Sequence, residues 1–361
     1  MLALARDAER QLRAAGVSFG HGTTNAWDEA VYLVLHALRL PLDDLAGVAQ
    51  RPVTAAKRAA IARLLTARIH CRTPAAYLTR EAWLGEHRFY IDPRAIVPRS
   101  FIAELLGEPS PLLPPLPRVR RALDLCTGSG CLAILMALAC PQAAVDALDL
   151  SAAALAVARR NVAAYRLGRR LRLARSDLFA ALGGQRYDLI VSNPPYVTDA
   201  AMRRLPMEYR REPALALAGG HDGLDLVRRI LAAAPSHLTA RGVLVLEVGH
   251  ARARVEQAFP GLEAWWPQTS GGDDCVLVAD RAGITRAIRS NAGLTRAIPS
   301  NAGLTRAIRS NAGIIRATRT GAALTRAVRG LPPATVAAPA RPASPPARRL
   351  ARASARRPAR A

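Results

Sequence analysis

The sequence predicts an α/β protein in three parts: a small N-terminal helical domain, a domain on a mainly parallel sheet, and a disordered basic tail. Three observations predict it. Apolar residues recur at three-four spacing in residues 1–82, strand-like and helix-like segments alternate from Arg120 to Asp280, and from residue 281 onward there are 17 Arg and no acid. With 361 residues, half of them hydrophobic, the chain can bury a sizeable core.

Residues 1–82 read as helices. In AWDEAVYLVLHALRL, Ala30, Leu33, Val34, Ala37 and Leu38 share one face, and Pro41 ends the helix. TAAKRAAIARLLTARIHCR begins another helix behind Thr54, a capping residue. His36 and His70 fall within these patterns and read as structural or solvated side chains. The leading MLALARDAERQLRAAG is basic and amphipathic, but it has no apolar secretory core, and Asp7 and Glu9 argue against an organelle presequence. The longest apolar run, CLAILMALAC, is too short to span a bilayer. Five cysteines without ligand spacing point to a reducing cytoplasm, and no His or Cys pair completes a zinc site beside Cys126 and Cys131, so no metal is expected.

Residues 83–118 read as a linker. WLGEHRFYIDPRAIVPRS has short apolar strands broken by Gly85 and Asp92-Pro93, SFIAELLGE is a short helix, and PSPLLPPLPR is a stiff connection. Residues 119–280 then alternate. Strands fall in RALDLC, AAVDALDL, LRLARSDLF, YDLIVS and RGVLVLEVG. Helices fall in CLAILMALA, SAAALAVARRNVAAYRL, HDGLDLVRRILAAAPSHL and ARARVEQAF, and strand-like pieces around LEAWW and CVLVA close the domain. Sheets of this kind bind ligands beyond the carboxyl ends of their strands, so the residues just after each strand are the candidates for function.

LDLCTGSGC runs from a strand through a glycine turn into a helix, and Gly128 and Gly130 let the backbone approach a ligand. Only two glycines fall in the dinucleotide register, and Asp124 lies before them in the strand end, which suits a ligand without a pyrophosphate. Asp149 ends the second strand about twenty residues on, where a carboxylate can accept both ribose hydroxyls. After the third strand, Asp177 can accept from an adenine amino group and Leu178 can cover the ring. Helix capping is the alternative for each acid.

The fourth strand ends in Asn193-Pro194-Pro195-Tyr196. Two prolines remove two amide donors and stiffen the loop, leaving the Asn193 side-chain oxygen and the Pro194 carbonyl as rigid acceptors. Such a pair suits a planar –NH₂ group, holding both protons and aiming the nitrogen lone pair at an electrophile. Tyr196 supplies a flat wall.

With these motifs the chain resembles the S-adenosylmethionine-dependent N(5)-glutamine protein methyltransferases. The likeness covers roughly residues 1–280 and rests on FYIDPRAIVPRS, LDLCTGSGC, ALDLS, RSDLF, SNPPYV, EPALALAGGHDGLDLVRRI and LVLEVG. It implies a Rossmann-like class I methyltransferase domain and an N-terminal domain that recognises a protein substrate. VPRSFIAELL looks like the branch that methylates a large-subunit ribosomal protein of the L-three type, free or in an assembly intermediate. The release-factor branch usually reads I-P-R-P and an acidic stretch there.

Carried over by motif, Cys126, Thr127, Gly128, Ser129 and Gly130 would hold the methionine part of the cofactor. Asp149 would hold the ribose, Asp177 and Leu178 the adenine, and Asn193, Pro194, Pro195 and Tyr196 the glutamine amide, with Asn193 also bordering the cofactor. Cys126 stands where many relatives have Gly, so a different backbone is expected there. Arg99 and Glu247 lie in matching segments, and surface pairing is the ordinary reading of both. The expected reaction is direct transfer of methyl from sulfonium to amide nitrogen, with no covalent enzyme intermediate. Two rivals remain: a nucleic-acid exocyclic-amine methyltransferase, which the same loop serves equally, and a ribosome- or RNA-binding protein with a degenerate enzyme domain, against which the intact turn, acids and loop argue.

The net charge of +24 comes mostly from the tail. Residues 281–330 form five ten-residue units: RAGITRAIRS, NAGLTRAIPS, NAGLTRAIRS, NAGIIRATRT and GAALTRAVRG. Residues 331–361, rich in Pro, Ala and Arg, have too little apolar surface to offset their ordering entropy. The tail reads as an electrostatic arm for RNA or as an expanded coding repeat, and the lack of aromatics for base stacking favours the second.

Overall fold

A computed structural model describes residues 1–42, 44–107, 110 and 112–290; the last four repeats and the Pro/Ala/Arg segment lie outside the described residues. The chain opens with five helices, α1 (Leu2–Ala14), α2 (Ala26–Leu38), α3 (Leu45–Val48), α4 (Ala55–His70) and α5 (Ala75–Thr79). Their core joins Ala5, Ala8 and Leu12 of α1 to Ala30, Leu33 and Val34 of α2 and to Ile61 and Leu65 of α4. Asn25 caps α2 by accepting from Asp28 N, and Thr54 caps α4 by accepting from Lys57 N. Helix α2 stops at a left-handed Arg39 (φ 58°), two residues before the proline expected to end it.

The linker forms the hairpin β1 (Glu81–Leu84) and β2 (His87–Tyr90), then α6 (Ile102–Gly107). The main sheet takes β3 (Arg121–Leu125), β4 (Ala144–Asp149), β5 (Leu171–Arg175) and β6 (Tyr187–Ser192), with α7 (Cys131–Ala139) and α8 (Ala152–Ala164) between the first three. After β6 come α9 (Asp199–Arg204), α10 (Asp225–His237), β7 (Leu238–Glu247), α11 (Arg252–Ala258), β8 (Val276–Asp280) and α12 (Arg281–Ser290). The strand order is β5-β4-β3-β6-β7-β8; all neighbours are parallel except the β7–β8 pair.

Strand alternation sorts the core into two faces. Ala122, Val145, Val191 and Val245 pack with α6 and α7, whereas Leu123, Leu148, Ile190 and Leu244 pack with α10, α11 and α12. LEAWW, expected as strand, contributes one isolated bridge, Trp265 to Val278. Pro267 follows directly and cannot donate to a ladder.

The first ten-residue unit also departs from expectation. Instead of starting the tail after residue 280, RAGITRAIRS is α12, with Gly283, Ile284 and Ala287 buried against the sheet domain. Its apolar positions at four, seven and eight of the unit fall on one helical face.

Two buried ion clusters bind the helical domain to the sheet domain. Arg68, wholly buried, donates to Glu29 at 2.6 Å, to Glu208 at 3.1 Å and to Ser18 O at 2.6 Å. Glu208 also accepts from Ser18 N and Arg72. Glu212 accepts from Val97 N at 2.9 Å and from both terminal nitrogens of Arg99 at 2.9 and 2.6 Å, with His21 Nε2 3.5 Å away. Burial opposes ionisation of Glu212, but the close approach of His21 and the bonds from Arg99 outweigh it and hold its pKa down at about 2, from 4.5.

A carboxylate held below its unfolded value adds stability that is present above pH 4.5 and lost as pH falls toward 2. Urea unfolding should therefore show the protein weakening through that window, and Glu212→Gln should flatten the response. At pH 7 the same substitution, leaving Arg99 without its partner charge, should cost about 3 kcal/mol.

Candidate functional site

The expected site residues gather at the carboxyl ends of β3, β4, β5 and β6. Between β3 and α7, Cys126, Gly128 and Gly130 all have left-handed backbone, with φ of 59°, 56° and 82°. Cys126 thus adopts a conformation natural to glycine, at a cost of roughly 1–2 kcal/mol. A Cβ on Gly130 would lie 3.1 Å from that of Ala158, so this glycine also lets α8 approach the turn. Thr127 N donates to Leu148 O at 3.0 Å, tying the turn to β4.

The acids following the strands do not cap helices. Asp149 accepts from Gly128 N and from Ser151 N, both at 2.8 Å, while Ser151 takes the cap of α8 by accepting from Ala154 N. Ser176 N donates to Asp149 O, which carries the ordering on to the next acid. Asp177 accepts from Arg229 of α10 at 2.8 Å, a partner that sequence spacing did not reveal. Leu178, buried, is also left-handed (φ 48°), a conformation that strongly disfavours a branched side chain.

Asp124 had no expected role, yet it is the most constrained acid of the group. Its Oδ2 accepts from Thr127 Oγ1 at 2.5 Å and Ala133 N at 3.0 Å, while its buried Oδ1 has no partner. Burial pushes its pKa up to about 7, and the bonds from Thr127 and Ala133 offset this only in part. The sequence signal was an acid inside an otherwise apolar strand, directly before the glycine turn.

Asn193 follows β6, which Ser192 Oγ joins to Leu125 O of β3 at 2.9 Å. Asn193 Nδ2 donates to Arg99 O at 3.1 Å, which fixes the amide and leaves Oδ1 as its free end. Pro194 and Pro195 are buried, and Tyr196 is half-buried. The Tyr196 hydroxyl lies 3.3 Å from Glu247 Oε1. Its ring is hemmed in: a Cβ on Gly249 (φ 59°) would come within 2.8 Å of it, and one on Gly219 within 2.6 Å of the Tyr196 Cα.

Arg99 and Glu247 are not surface pairs. Arg99 is bound to buried Glu212 and faces the Tyr209 ring at 5.2 Å. Glu247, 1% exposed, accepts from Ser100 Oγ at 2.5 Å and Phe101 N at 3.0 Å. Burial raises its pKa to about 7 against these bonds. A cleft of about 390 Å³ opens beside them, lined by Trp83, Arg99, Phe101, Tyr196 and Glu247. It borders Tyr196 and none of the glycine-turn residues. Burial raises the Cys126 and Cys131 thiols well above their ordinary values, so neither supplies a ready thiolate.

Residues 110–208 match the Methyltransferase small domain family. The chain is 57% identical over 279 residues to the ribosomal protein uL3 glutamine methyltransferase of Bordetella pertussis, covering 77% of this chain and 94% of that relative. It is 52% identical to the protein of the same name in Burkholderia pseudomallei, covering 76% of this chain and 92% of that relative. For the Neisseria meningitidis serogroup A protein of that name the identity is 50%, covering 76% and 91%.

The packing around Tyr196 makes one expectation measurable. Gly249→Ala and Gly16→Ala both place a side chain at positive φ, but Gly16 has open space around it. Gly16→Ala should cost about 1 kcal/mol, and Gly249→Ala roughly 2–4, with the Tyr196 ring displaced in a crystal structure. Equal losses would mean that the ring tolerates the added methyl.

Proposed function

The chain belongs to the ribosomal protein uL3 glutamine methyltransferases, and we propose that the strand-end pocket and the Asn193–Tyr196 loop together carry methyl transfer to a glutamine side-chain amide of uL3. The methyl donor is S-adenosylmethionine. When bound, it supplies an electrophilic methyl on a sulfonium sulfur.

The residues present fit that donor. The unpartnered, buried Asp124 Oδ1 is an acceptor awaiting a donor, and the amino group of the methionine part is one. Gly128 and Gly130 leave room for close backbone approach. Asp149 spends one bond on each oxygen and keeps lone pairs for two ribose hydroxyls. Asp177, held by Arg229, keeps an oxygen for the adenine amino group, and Leu178 covers the ring.

An amide nitrogen is a poor nucleophile because its lone pair is conjugated with the carbonyl. Asn193 Oδ1 and the Pro194 carbonyl would each accept one of its protons, turning the lone pair toward the methyl carbon. As the carbon–nitrogen bond forms and the carbon–sulfur bond breaks, positive charge moves onto that nitrogen, and the two acceptors offset it. The surplus proton then passes to water. Tyr196, pinned between Glu247 and the flanking glycines, walls the amide, and its hydroxyl stays protonated because burial raises its pKa. The cleft at Trp83 and Phe101 would take the chain around the target glutamine, and the helical domain, fixed through Glu208 and Glu212, would recognise the rest of the substrate.

The observation that carries this reading is the Asn193 amide held by Arg99 O with its oxygen free. Asn193→Ala should lower turnover roughly 10²–10³-fold while donor affinity changes less than about threefold. Unchanged turnover would refute the clamp. Mass spectrometry of the methylated product should place the group on a glutamine of uL3, and label recovered in nucleic acid would overturn the substrate.

A further inference from the structure

A second group of polar side chains gathers where the turn after β7 meets the start of β8. His250 Nδ1 lies 3.0 and 3.1 Å from the two carboxylate oxygens of Asp274 and 3.4 Å from Cys275 Sγ. That sulfur lies 3.3 Å from Asp274 Oδ1. His250 is exposed, Asp274 half-buried and Cys275 buried, so the group runs from solvent inward. Three atoms thus crowd one ring nitrogen, which can carry a single hydrogen bond.

A cation at the centre would satisfy all three side chains at once. Zinc bonds of about 2.0–2.3 Å at tetrahedral angles set nitrogen, oxygen and sulfur ligands roughly 3.3–3.6 Å apart. The sides of this triangle, 3.0, 3.4 and 3.3 Å, lie close to that range. Sulfur and imidazole together favour zinc over magnesium and calcium, which take oxygen ligands.

The backbone on both sides is already fixed. Val248 N donates to Cys275 O at 2.8 Å, and Ala251 N donates to Gly249 O at 2.7 Å, which hold the His250 turn against β8. Thr269 and Gly272 exchange backbone bonds at 3.0 Å, and Cys275 Sγ reaches Gly271 O at 3.2 Å. Arg252 is taken up by Glu256 and Asp273, which leaves Asp274 to His250 and Cys275. Ligand spacing gave no sign of the group, because His250 precedes Cys275 by 25 residues.

We propose that His250, Asp274 and Cys275 form a zinc site with its fourth position open to water, and that the ion clamps the turn after β7 to the start of β8. On binding, the Cys275 thiol gives its proton to solvent as the sulfur–zinc bond forms. The clamped turn contains Gly249, so the ion steadies a residue against which the Tyr196 ring packs.

The test uses the full chain with Co²⁺ as a coloured stand-in for zinc, and needs neither methyl donor nor substrate. One equivalent of Co²⁺ should give the sulfur-to-metal charge-transfer band in the near ultraviolet, and Zn²⁺ should bleach it. Cys275→Ser should lose the band, and His250→Ala should weaken Zn²⁺ binding roughly 100-fold. Cys71→Ser, which alters another partly exposed thiol beside a histidine, should keep the band. Zn²⁺ at about 100 times its Kd should raise the Tm of the unaltered chain by about 4 °C and that of His250→Ala by less than about 1 °C. The proposal is overturned if the unaltered chain gives no charge-transfer band, if the band survives Cys275→Ser, or if Cys71→Ser removes it. Should Cys275→Ser fail to fold, the exposed His250→Ala still decides: unchanged Zn²⁺ affinity there overturns the proposal.

Discussion

A carboxylate out of water must find donors or stay protonated, and Glu212 finds them in the linker, at Val97 N and the Arg99 guanidinium, with His21 Nε2 of the helical domain 3.5 Å away. Arg99 is the hinge of this arrangement. Its guanidinium is held by Glu212, and its carbonyl holds the Asn193 amide. The neighbouring Ser100 and Phe101 N hold Glu247, which in turn reaches Tyr196. The orientation of the amide-binding loop therefore depends on how the linker is anchored, and buried Glu212 is one of the anchors.

The cofactor side rests on a different device. Cys126, directly after β3, and Leu178, three residues after β5, both take left-handed backbone near strand ends where a ligand would lie. The acids between them are held by backbone amides or by Arg229 and so face the pocket instead of capping the helices that follow. Asp124 completes the set with an oxygen that has no donor among the described residues. Strain and an unfilled acceptor in one pocket are what a fold keeps when a ligand completes it.

The C-terminal helix connects the body to the repeats. Residues 281–290 bury Gly283, Ile284 and Ala287 on that face, and a similar residue pattern then recurs four times in the sequence. What the later units share with it is a residue pattern, and a period of ten is not a familiar solenoid period.

By itself, the sequence determined whatever depends on local order. Three-four spacing located the helices, short apolar runs between turns located the strands, and the glycine turn, Asp149, Asp177 and the Asn193–Tyr196 loop stood out because ligand sites of parallel sheets lie just after strands. Only the tertiary structure decided what depends on partners distant in the chain. Glu212 lies 113 residues from Arg99, and Glu208 lies 140 from Arg68, so no spacing could pair them. Arg99 and Glu247 looked like surface charges because a sequence carries no burial: Glu247 is buried, and Arg99, partly exposed, is held by buried Glu212. LEAWW looked like a strand because β propensity says nothing of which ladder positions remain free. RAGITRAIRS looked like tail because its copies did, and it became a helix of the core because the exposed faces of α10 and β7 gave its apolar stripe somewhere to be buried.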